Sequence, residues 1–151
     1  MKKYELTSET KIVFGHILYR IKALSSFGYV SAGDLGGFLE SEKNLSQNGN
    51  AWVSGNAWVS GNAEVSGDAE VSEIGAIFWI GAVGSRNDTA TFFRCRDGSI
   101  KVVCGCFFGN LDEFAKKVRK THGDNDHAKV YMLAIDMAKI RISTEKEKTE
   151  E

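Results

Sequence analysis

Between Asn50 and Glu73 the hydrophobic and polar positions repeat with a period of six residues. The four hexamers read Asn-Ala-Trp-Val-Ser-Gly twice, then Asn-Ala-Glu-Val-Ser-Gly, then Asp-Ala-Glu-Val-Ser-Glu. Alanine and valine stand two apart, so they share one face of a strand and the residue between them faces the other way. A six-residue period is typical of a parallel β-helix, in which each hexamer forms one short strand and one corner. The residues predicted to point outward are Trp52, Trp58, Glu64 and Glu70.

The N-terminal segment predicts a cap for this solenoid. The apolar runs Ile12–Phe14 and Ile17–Tyr19 flank Gly15-His16, a pattern that favours a β-hairpin with His16 at the turn. Projected backward, the six-residue phase begins near Phe27, and the end of a solenoid needs a cover. The predicted domains are a hairpin cap at 1–26, a hexapeptide-repeat β-helix at 27–73, an α+β domain at 74–143 and a charged disordered tail at 144–151.

The α+β domain is expected to contain a hairpin centred on Asp97-Gly98, which lies between two apolar runs. A two-residue turn there would place Phe93 opposite Val102 and Arg94 opposite Lys101. Like charges directly opposite each other are unfavourable unless an anion or a carboxylate lies between them. The register therefore predicts an anion or a carboxylate between Arg94 and Lys101.

Two helices are predicted after this hairpin. Asn110 followed by Glu113 is a capping box, and the first helix is expected to run to about Thr121 and to end at Gly123. The second helix is expected to begin near Asp126. Its predicted buried stripe consists of Val130, Leu133, Ala134, Met137 and Ile140.

Several motifs resemble a family of small hexapeptide-repeat proteins common in bacteriophage and prophage genomes. They are Tyr19–Leu24, Gly33–Glu40, Asn44-Leu45-Ser46 and the Asn-Ala-x-Val repeats. A second block resembles a segment that recurs in such phage proteins, and comprises 84–88, 92–94, 104–107 and 121–124. The resemblance implies a phage origin and a homotrimer. Two outward tryptophans are more hydrophobic surface than a monomer usually shows, so Trp52 and Trp58 are expected to pack at a subunit interface or against the C-terminal domain, with a ligand-stacking platform as the alternative. Pattern and resemblance together predict a mixed fold: a short left-handed parallel β-helix with an N-terminal β-hairpin cap and a C-terminal β-hairpin and two-helix unit.

Composition and charge limit the classes of ligand and partner that fit this sequence. The 151-residue chain has a formal net charge of −1, but 74–143 alone carries a net charge of +4. An anionic ligand is therefore expected to bind in the second half of the chain. The sequence shows neither a membrane-spanning run nor a signal peptide, and its three cysteines argue against a disulfide framework, which together predict a cytosolic protein. The near-zero net charge argues against duplex DNA as a partner.

The candidate binding site collects cationic, polar and aromatic residues of the α+β domain. Arginine forks bind phosphate bidentately, a Gly-Ser-Arg-Asn loop can offer backbone N–H groups, and phenylalanine can stack on a base. Cys95, Cys104 and Cys106 are interpreted as buried free thiols on one face of the hairpin, with a nucleophilic thiol paired with His122 as the alternative. No metal or cofactor is expected. The predicted ligand-binding residues are Ser85, Arg86, Asn87, Phe92, Arg94, Lys101, His122 and Asp124.

Three classes of function fit these patterns. The first is a non-catalytic phage accessory protein in the host cytoplasm. By analogy with phage proteins of this size, it would inhibit a bacterial defence system by sequestering a nucleotide-like signal. The second is a structural or assembly scaffold that binds a host protein. The third is a hexapeptide acyltransferase, which usually needs a histidine on or beside the solenoid, and here no histidine lies between His16 and His122.

Overall fold

The structure is a computed structural model that describes residues 2–142, and the chain divides into two compact units, Met1–Ile74 and Gly75–Glu151. The predicted tail at 144–151 lies outside the described residues. The strands are β1 (Tyr4–Val13), β2 (His16–Ala23), β3 (Leu35–Leu39), β4 (Trp52–Val53), β5 (Trp58–Val59), β6 (Glu70–Val71), β7 (Ile77–Val83), β8 (Asp88–Arg94), β9 (Ile100–Cys104) and β10 (Phe107–Asn110). The helices are α1 (Leu111–His122) and α2 (Asp126–Arg141).

The left-handed parallel β-helix predicted for 27–73 is wrong. The strands of the described chain form three separate sheets, in the orders β1-β2-β3-β5, β10-β9-β8-β7 and β4-β6, instead of one continuous parallel stack. In the first sheet β2 pairs antiparallel with both β1 and β3, and only β5 adds in parallel. The repeat contributes strands of two residues each, with the β4–β6 pair also parallel. The longer N-terminal strands therefore build the main sheet of this unit, because they offer more backbone hydrogen bonds than the hexamers do.

The alternation within the hexamers is nevertheless correct for the inward positions. Alanine and valine of all four hexamers are at most 2% exposed, while Glu64 and Glu70 are exposed. The buried residues are Ala51, Val53, Ala57, Val59, Ala63, Val65, Ala69 and Val71.

Trp52 contradicts the predicted outward set, because it is only 8% exposed. Its ring packs edge-on against Tyr4 and Phe27, with ring centroids 6.4 Å and 5.4 Å away. Gly36 makes room for it, since a Cβ atom there would lie 2.7 Å from the indole. Trp58 is partly buried and pairs with Phe38. The N-terminal segment of the same chain thus covers Trp52, which leaves it unavailable to a neighbouring subunit.

The N-terminal hairpin is present, but its turn is one residue earlier than predicted. Phe14 and Gly15 form the turn with φ values of 49° and 84°, and Val13 pairs with His16. This geometry is that of a two-residue turn with positive φ at both central positions. His16 therefore begins β2, where its Nδ1 atom lies 2.9 Å from a carboxylate oxygen of Glu40.

The second unit is an antiparallel sheet with both helices packed on one face. Its core contains Phe92 and Val102 from the sheet, Phe114 and Val118 from α1, and Tyr131 from α2. The predicted capping box is confirmed, because Asn110 and Glu113 exchange backbone-to-side-chain hydrogen bonds of 2.8 Å.

The predicted register of the β8–β9 hairpin is wrong by one residue. Cys95 N–H donates to the Ser99 carbonyl at 2.8 Å, so the loop has three residues, and Gly98 has a φ of 88°. Arg94 consequently faces Ile100, and Lys101 faces Phe93. A one-residue shift moves side chains to the opposite face of a sheet. Arg94 and Lys101 therefore lie on opposite faces, so the prediction of an anion or a carboxylate between them is wrong.

The same register shift also means that the three cysteines do not share one face of the hairpin, as was predicted. Cys104 pairs with Ala90, on the face of Phe92, whereas Cys95 follows Phe93 at an odd-numbered position on the other face. None of the three forms a disulfide bond within the described chain, and only Cys95 of the three is buried, while Cys104 is partly exposed and Cys106 exposed.

The buried stripe of α2 is also wrong, except at Ala134. The helix buries Ala128, Tyr131, Ala134, Ile135 and Ala138. The other four predicted residues are exposed, by 41% at Val130, 61% at Leu133, 41% at Met137 and 86% at Ile140. Both faces of α2 are apolar, so spacing alone does not say which of them meets the sheet.

Asn44 satisfies buried backbone groups that the short strands leave without partners. Its side chain is fully buried, and its Nδ2 atom donates to the carbonyls of Gly61 and Ala63 at 3.1 Å and 2.8 Å. Its Oδ1 atom accepts from Ser41 N–H at 2.9 Å. An alanine here would leave the Ala63 carbonyl without this partner in a buried setting and would remove two further hydrogen bonds that are partly buried.

We expect Asn44→Ala to lower the free energy of unfolding by about 2–4 kcal/mol, since it removes one buried and two partly buried hydrogen bonds. Urea titration followed by tryptophan fluorescence measures this change. Asn48→Ala is the matched control, because Asn48 is exposed. Equal effects of the two changes would contradict the role given to Asn44.

Lys3 is a buried amine in the same unit. Its Nζ atom donates to the carbonyls of Ala51 at 2.8 Å and Gly49 at 3.3 Å, and lies 4.7 Å from the centre of the Phe27 ring. Burial lowers the pKa of Lys3 to about 8 from 10.5. Between these values the unfolded chain binds more protons than the folded one, so Lys3 makes stability rise with pH.

This linkage predicts a difference between the wild type and Lys3→Met. From about pH 8 to pH 10 the urea midpoint of the wild type should rise relative to that of the variant, because the variant lacks the titrating amine. Other groups titrate equally in both proteins and cancel in the comparison. Parallel pH profiles would show that the Lys3 pKa is not lowered.

Candidate functional site

A cavity of about 490 Å³ lies within the Gly75–Glu151 unit, between the β7–β8 turn, the β9–β10 turn and the two helices. Three sequence-predicted residues line it, namely Ser85, Arg86 and His122. The other lining residues are Asp88, Cys104, Gly105, Cys106, Phe107, Phe108, Phe114, Lys117, Val118, Thr121 and Tyr131.

The β7–β8 turn positions Ser85 and Arg86. Asn87 N–H donates to the Gly84 carbonyl at 3.3 Å, which closes a tight turn with Ser85 and Arg86 at its centre. Gly84 and Asn87 both have positive φ, at 76° and 56°. Both conformations suit these residue types, since glycine has no Cβ atom and asparagine tolerates the left-handed region. The arginine is thereby presented at the cavity wall with its side chain exposed.

Position 84 requires glycine for a second reason besides its positive φ, which is the close approach of Tyr131. A Cβ atom at this position would overlap the hydroxyl of Tyr131 and would lie 2.8 Å from the adjoining ring carbon. The turn and α2 therefore approach each other closely only because residue 84 has no side chain. This contact fixes one wall of the cavity against another.

Tyr131 also organises the wall formed by α1. Its ring stacks on His122 with a centroid distance of 5.9 Å and an interplanar angle of 24°. It meets Phe114 edge-on at 5.4 Å and 86°, a favoured arrangement of aromatic rings. The imidazole is in turn 5.2 Å from that of His127. One buried tyrosine thus determines where His122 faces the cavity.

The neutral polar groups of the cavity stay protonated near pH 7. Burial raises the pKa of Tyr131 to about 12, and burial likewise raises the pKa of the Cys104 thiol. The Tyr131 hydroxyl and the Cys104 sulfur lie 3.9 Å apart. Because a thiolate and not a thiol is the nucleophile, this environment disfavours Cys104 in the nucleophilic role considered with His122.

The charged groups of the cavity are mainly cationic. The lining combines the basic side chains of Arg86, Lys117 and His122 with a single carboxylate, that of Asp88. This excess of basic over acidic groups favours an anion in the cavity. The aromatic rings of Phe107 and Phe108 in the same lining offer an apolar surface beside the charges.

The remaining predicted site residues are not brought together here. Phe92 is fully buried and contacts the Phe114 ring at 6.1 Å, so its predicted role in stacking on a base is wrong. The described residues that line the cavity do not include Asn87, Arg94, Lys101 or Asp124. Within the same described part of the chain, no group of three or more His, Cys, Asp or Glu side chains could hold a metal ion.

Sequence reasoning missed Lys117 and Tyr131. Lys117 belongs to the basic cluster of α1 and is four residues before Thr121, which puts both on one face of the helix. That spacing, together with His122 at the end of the helix, could have identified the basic wall. Tyr131 offered no comparable pattern, because its role depends on the approach of the β7–β8 turn.

Comparison with known proteins adds no relatives, since neither a scan of protein-family models nor a search of curated proteins finds a match. Within 2–142 no helix is long and apolar enough to cross a membrane.

We expect Gly84→Ala to lower the free energy of unfolding by about 2–4 kcal/mol, since it adds a clash with Tyr131 to the strain of positive φ. Gly61→Ala is the matched control. Gly61 has a φ of 62°, but a Cβ atom there would meet nothing within 4 Å. Its cost should be about 1 kcal/mol, the lower end for a strained backbone residue.

A double-mutant cycle with Tyr131→Phe tests the contact itself. Removing the hydroxyl should relieve part of the clash, so the Gly84→Ala and Tyr131→Phe effects should be less than additive. Chemical denaturation of the four proteins gives the coupling energy. Additive effects would contradict a direct contact between residue 84 and the tyrosine hydroxyl.

Proposed function

We propose that the Gly75–Glu151 unit binds a small anionic, nucleotide-like ligand without turning it over. The observation that carries this proposal is the cavity whose lining combines Arg86, Lys117 and His122 with a single carboxylate, Asp88. Arginine and lysine are the usual phosphate-binding side chains in proteins. Aromatic rings beside such a cluster favour a ligand that joins a phosphate to a planar base.

The dimensions support a ligand of this class. Small-molecule sites are typically concave, with volumes of about 300–1,000 Å³, and the cavity falls inside that range. Sequestration, and not catalysis, agrees with the protonated state of Cys104 and Tyr131, since neither is activated as a nucleophile or base.

Sequestration of a nucleotide signal would suit a phage protein that acts in the host cytoplasm against a bacterial defence system. We propose this role from the resemblance of the sequence motifs, and the size and basic lining of the cavity support it. A homotrimer, also expected from that resemblance, loses one of its arguments, because Trp52 packs within its own chain. The acyltransferase hypothesis depended on the solenoid, and we do not retain it.

A second candidate function, binding of a host protein, is favoured by the tip of the N-terminal hairpin. Phe14 is 92% exposed at the turn, and Ile12 and Ile17 next to it are 71% and 49% exposed. Adjacent exposed apolar side chains of this size often mark a contact with another protein.

The ligand proposal predicts a thermal shift of several degrees with one member of a panel of nucleotides, cyclic dinucleotides and cyclic trinucleotides. A ligand at about 100 times its dissociation constant adds about 2.7 kcal/mol of stability. Inorganic phosphate and neutral nucleosides should give smaller shifts, because each supplies only one part of the recognised chemistry. Ligand recovered unchanged after incubation would support sequestration, and a recovered product would overturn it.

Arg86→Ala should weaken binding at least about tenfold, since it removes one charge-assisted contact to the phosphate. Arg96→Ala is the matched control, because Arg96 is exposed in the β8–β9 loop and does not line the cavity. Isothermal titration of both variants measures the difference. Equal loss in both, or no binding of any panel member by the wild type, would contradict the proposed site and direct attention to the hairpin tip.

A further inference from the structure

The helix α2 carries a second apolar face that the described chain leaves uncovered. Val130, Leu133, Met137 and Ile140 form this face, here called the outer row, and are 41–86% exposed. At 100° per residue they lie within one stripe, opposite the buried residues Ala128 and Ile135. A solvent-exposed helix of a small domain usually has charged or polar residues at such positions.

Burial of this row would be favourable. Removal of apolar surface from water contributes roughly 25 cal/mol per Å², and four large side chains lie side by side over three turns of helix. Exposed apolar patches bordered by polar residues are typical of protein–protein contacts. The charges that border the row indicate which partner fits it.

Lys129 and Asp136 lie along one edge of the outer row and are both exposed. They are seven residues apart, so they project from the same side of the helix two turns from each other. An antiparallel copy of α2, related by a two-fold axis next to Leu133, would set each Lys129 opposite Asp136 of the other copy. In a parallel pair with its two-fold axis along the helices, this edge of each copy would lie on opposite sides of the contact, so Lys129 and Asp136 would not meet across it.

We propose that the outer row binds a second copy of this chain through antiparallel packing of α2 on α2. Leu133 lies on the two-fold axis and meets its own counterpart, and Val130 packs beside Met137 of the second copy. Such a contact is isologous, because one patch complements itself. It is independent of the ligand cavity, which faces the opposite side of α2 at Tyr131.

The contact is small, so association should depend on concentration. One pair of helices buries less than the roughly 1,200 Å² typical of stable complexes, which places this interface in the transient class. We expect a dissociation constant on the order of 10–100 µM. The ligand-free protein should therefore pass from monomer to dimer across the range accessible to sedimentation.

Sedimentation equilibrium of the wild-type protein from about 5 µM to about 500 µM tests this directly. The weight-average mass should rise from that of a monomer toward that of a dimer. Leu133→Asp should stay monomeric throughout, with an unchanged thermal midpoint, because Leu133 is 61% exposed and contributes little to the core. A monomer at all concentrations, a trimer, or a dimer that persists in Leu133→Asp would overturn the proposal.

Charge reversal tests the identity of the partner and the register. Lys129→Asp and Asp136→Lys should each weaken association at least about fivefold, because each creates two like-charge pairs across the axis. The double variant restores opposite charges and should recover an affinity within about threefold of the wild type. A double variant as weak as either single variant would rule out the antiparallel register.

A disulfide cross-link locates the axis. Leu133→Cys in a Cys106→Ser background, treated with diamide, should form a covalent dimer, since the two introduced thiols lie next to each other across the axis. Lys116→Cys in the same background is the control, because Lys116 is exposed on α1. Equal cross-linking at both positions would contradict a specific contact through Leu133.

Discussion

The contact between Gly84 and Tyr131 is the constraint on which the candidate site depends. The turn that carries Arg86 can lie against α2 only because residue 84 has no Cβ atom to overlap the tyrosine hydroxyl. The same tyrosine ring stacks on His122 and meets Phe114 edge-on. One buried side chain therefore links the β7–β8 turn, the end of α1 and the core, and so sets the shape of the cavity between them.

Burial divides the lining of that cavity into two kinds of group. Tyr131 and Cys104 are partly desolvated and stay neutral, because burial raises the pKa of each. The basic side chains of Arg86 and Lys117 are exposed. A cavity with a neutral polar floor and cationic edges is suited to hold an anion rather than to transform it, since catalysis would require an activated base or nucleophile.

Self-association through α2 and ligand binding would use opposite faces of one helix. Tyr131 points to the cavity side, while Leu133 lies in the outer row. A dimer would hold two cavities facing away from the shared contact and would immobilise the helix that forms one cavity wall. The outer row also explains why the buried face of α2 could not be predicted from composition. The helix has enough apolar residues for two faces, and the sheet of its own unit covers only one.

Local sequence determined those features that depend on neighbouring residues. The capping box of Asn110 and Glu113 and the burial of alanine and valine in each hexamer follow from spacing alone. Part of the site was also predictable, because Ser85 and Arg86 belong to a turn motif and His122 ends a basic helix.

Tertiary packing decided the rest. A third loop residue moved Arg94 and Lys101 to opposite faces of the sheet, and a period of two makes any such shift invert a strand. Both faces of α2 are apolar, and packing against the sheet buries the face that carries Tyr131 and not the one that carries Leu133. In the N-terminal unit the long strands β1, β2 and β3 built the main sheet, and Trp52 turned inward against Tyr4 and Phe27. Periodicity states which residues share a face, but only contacts between segments distant in sequence determine what that face meets.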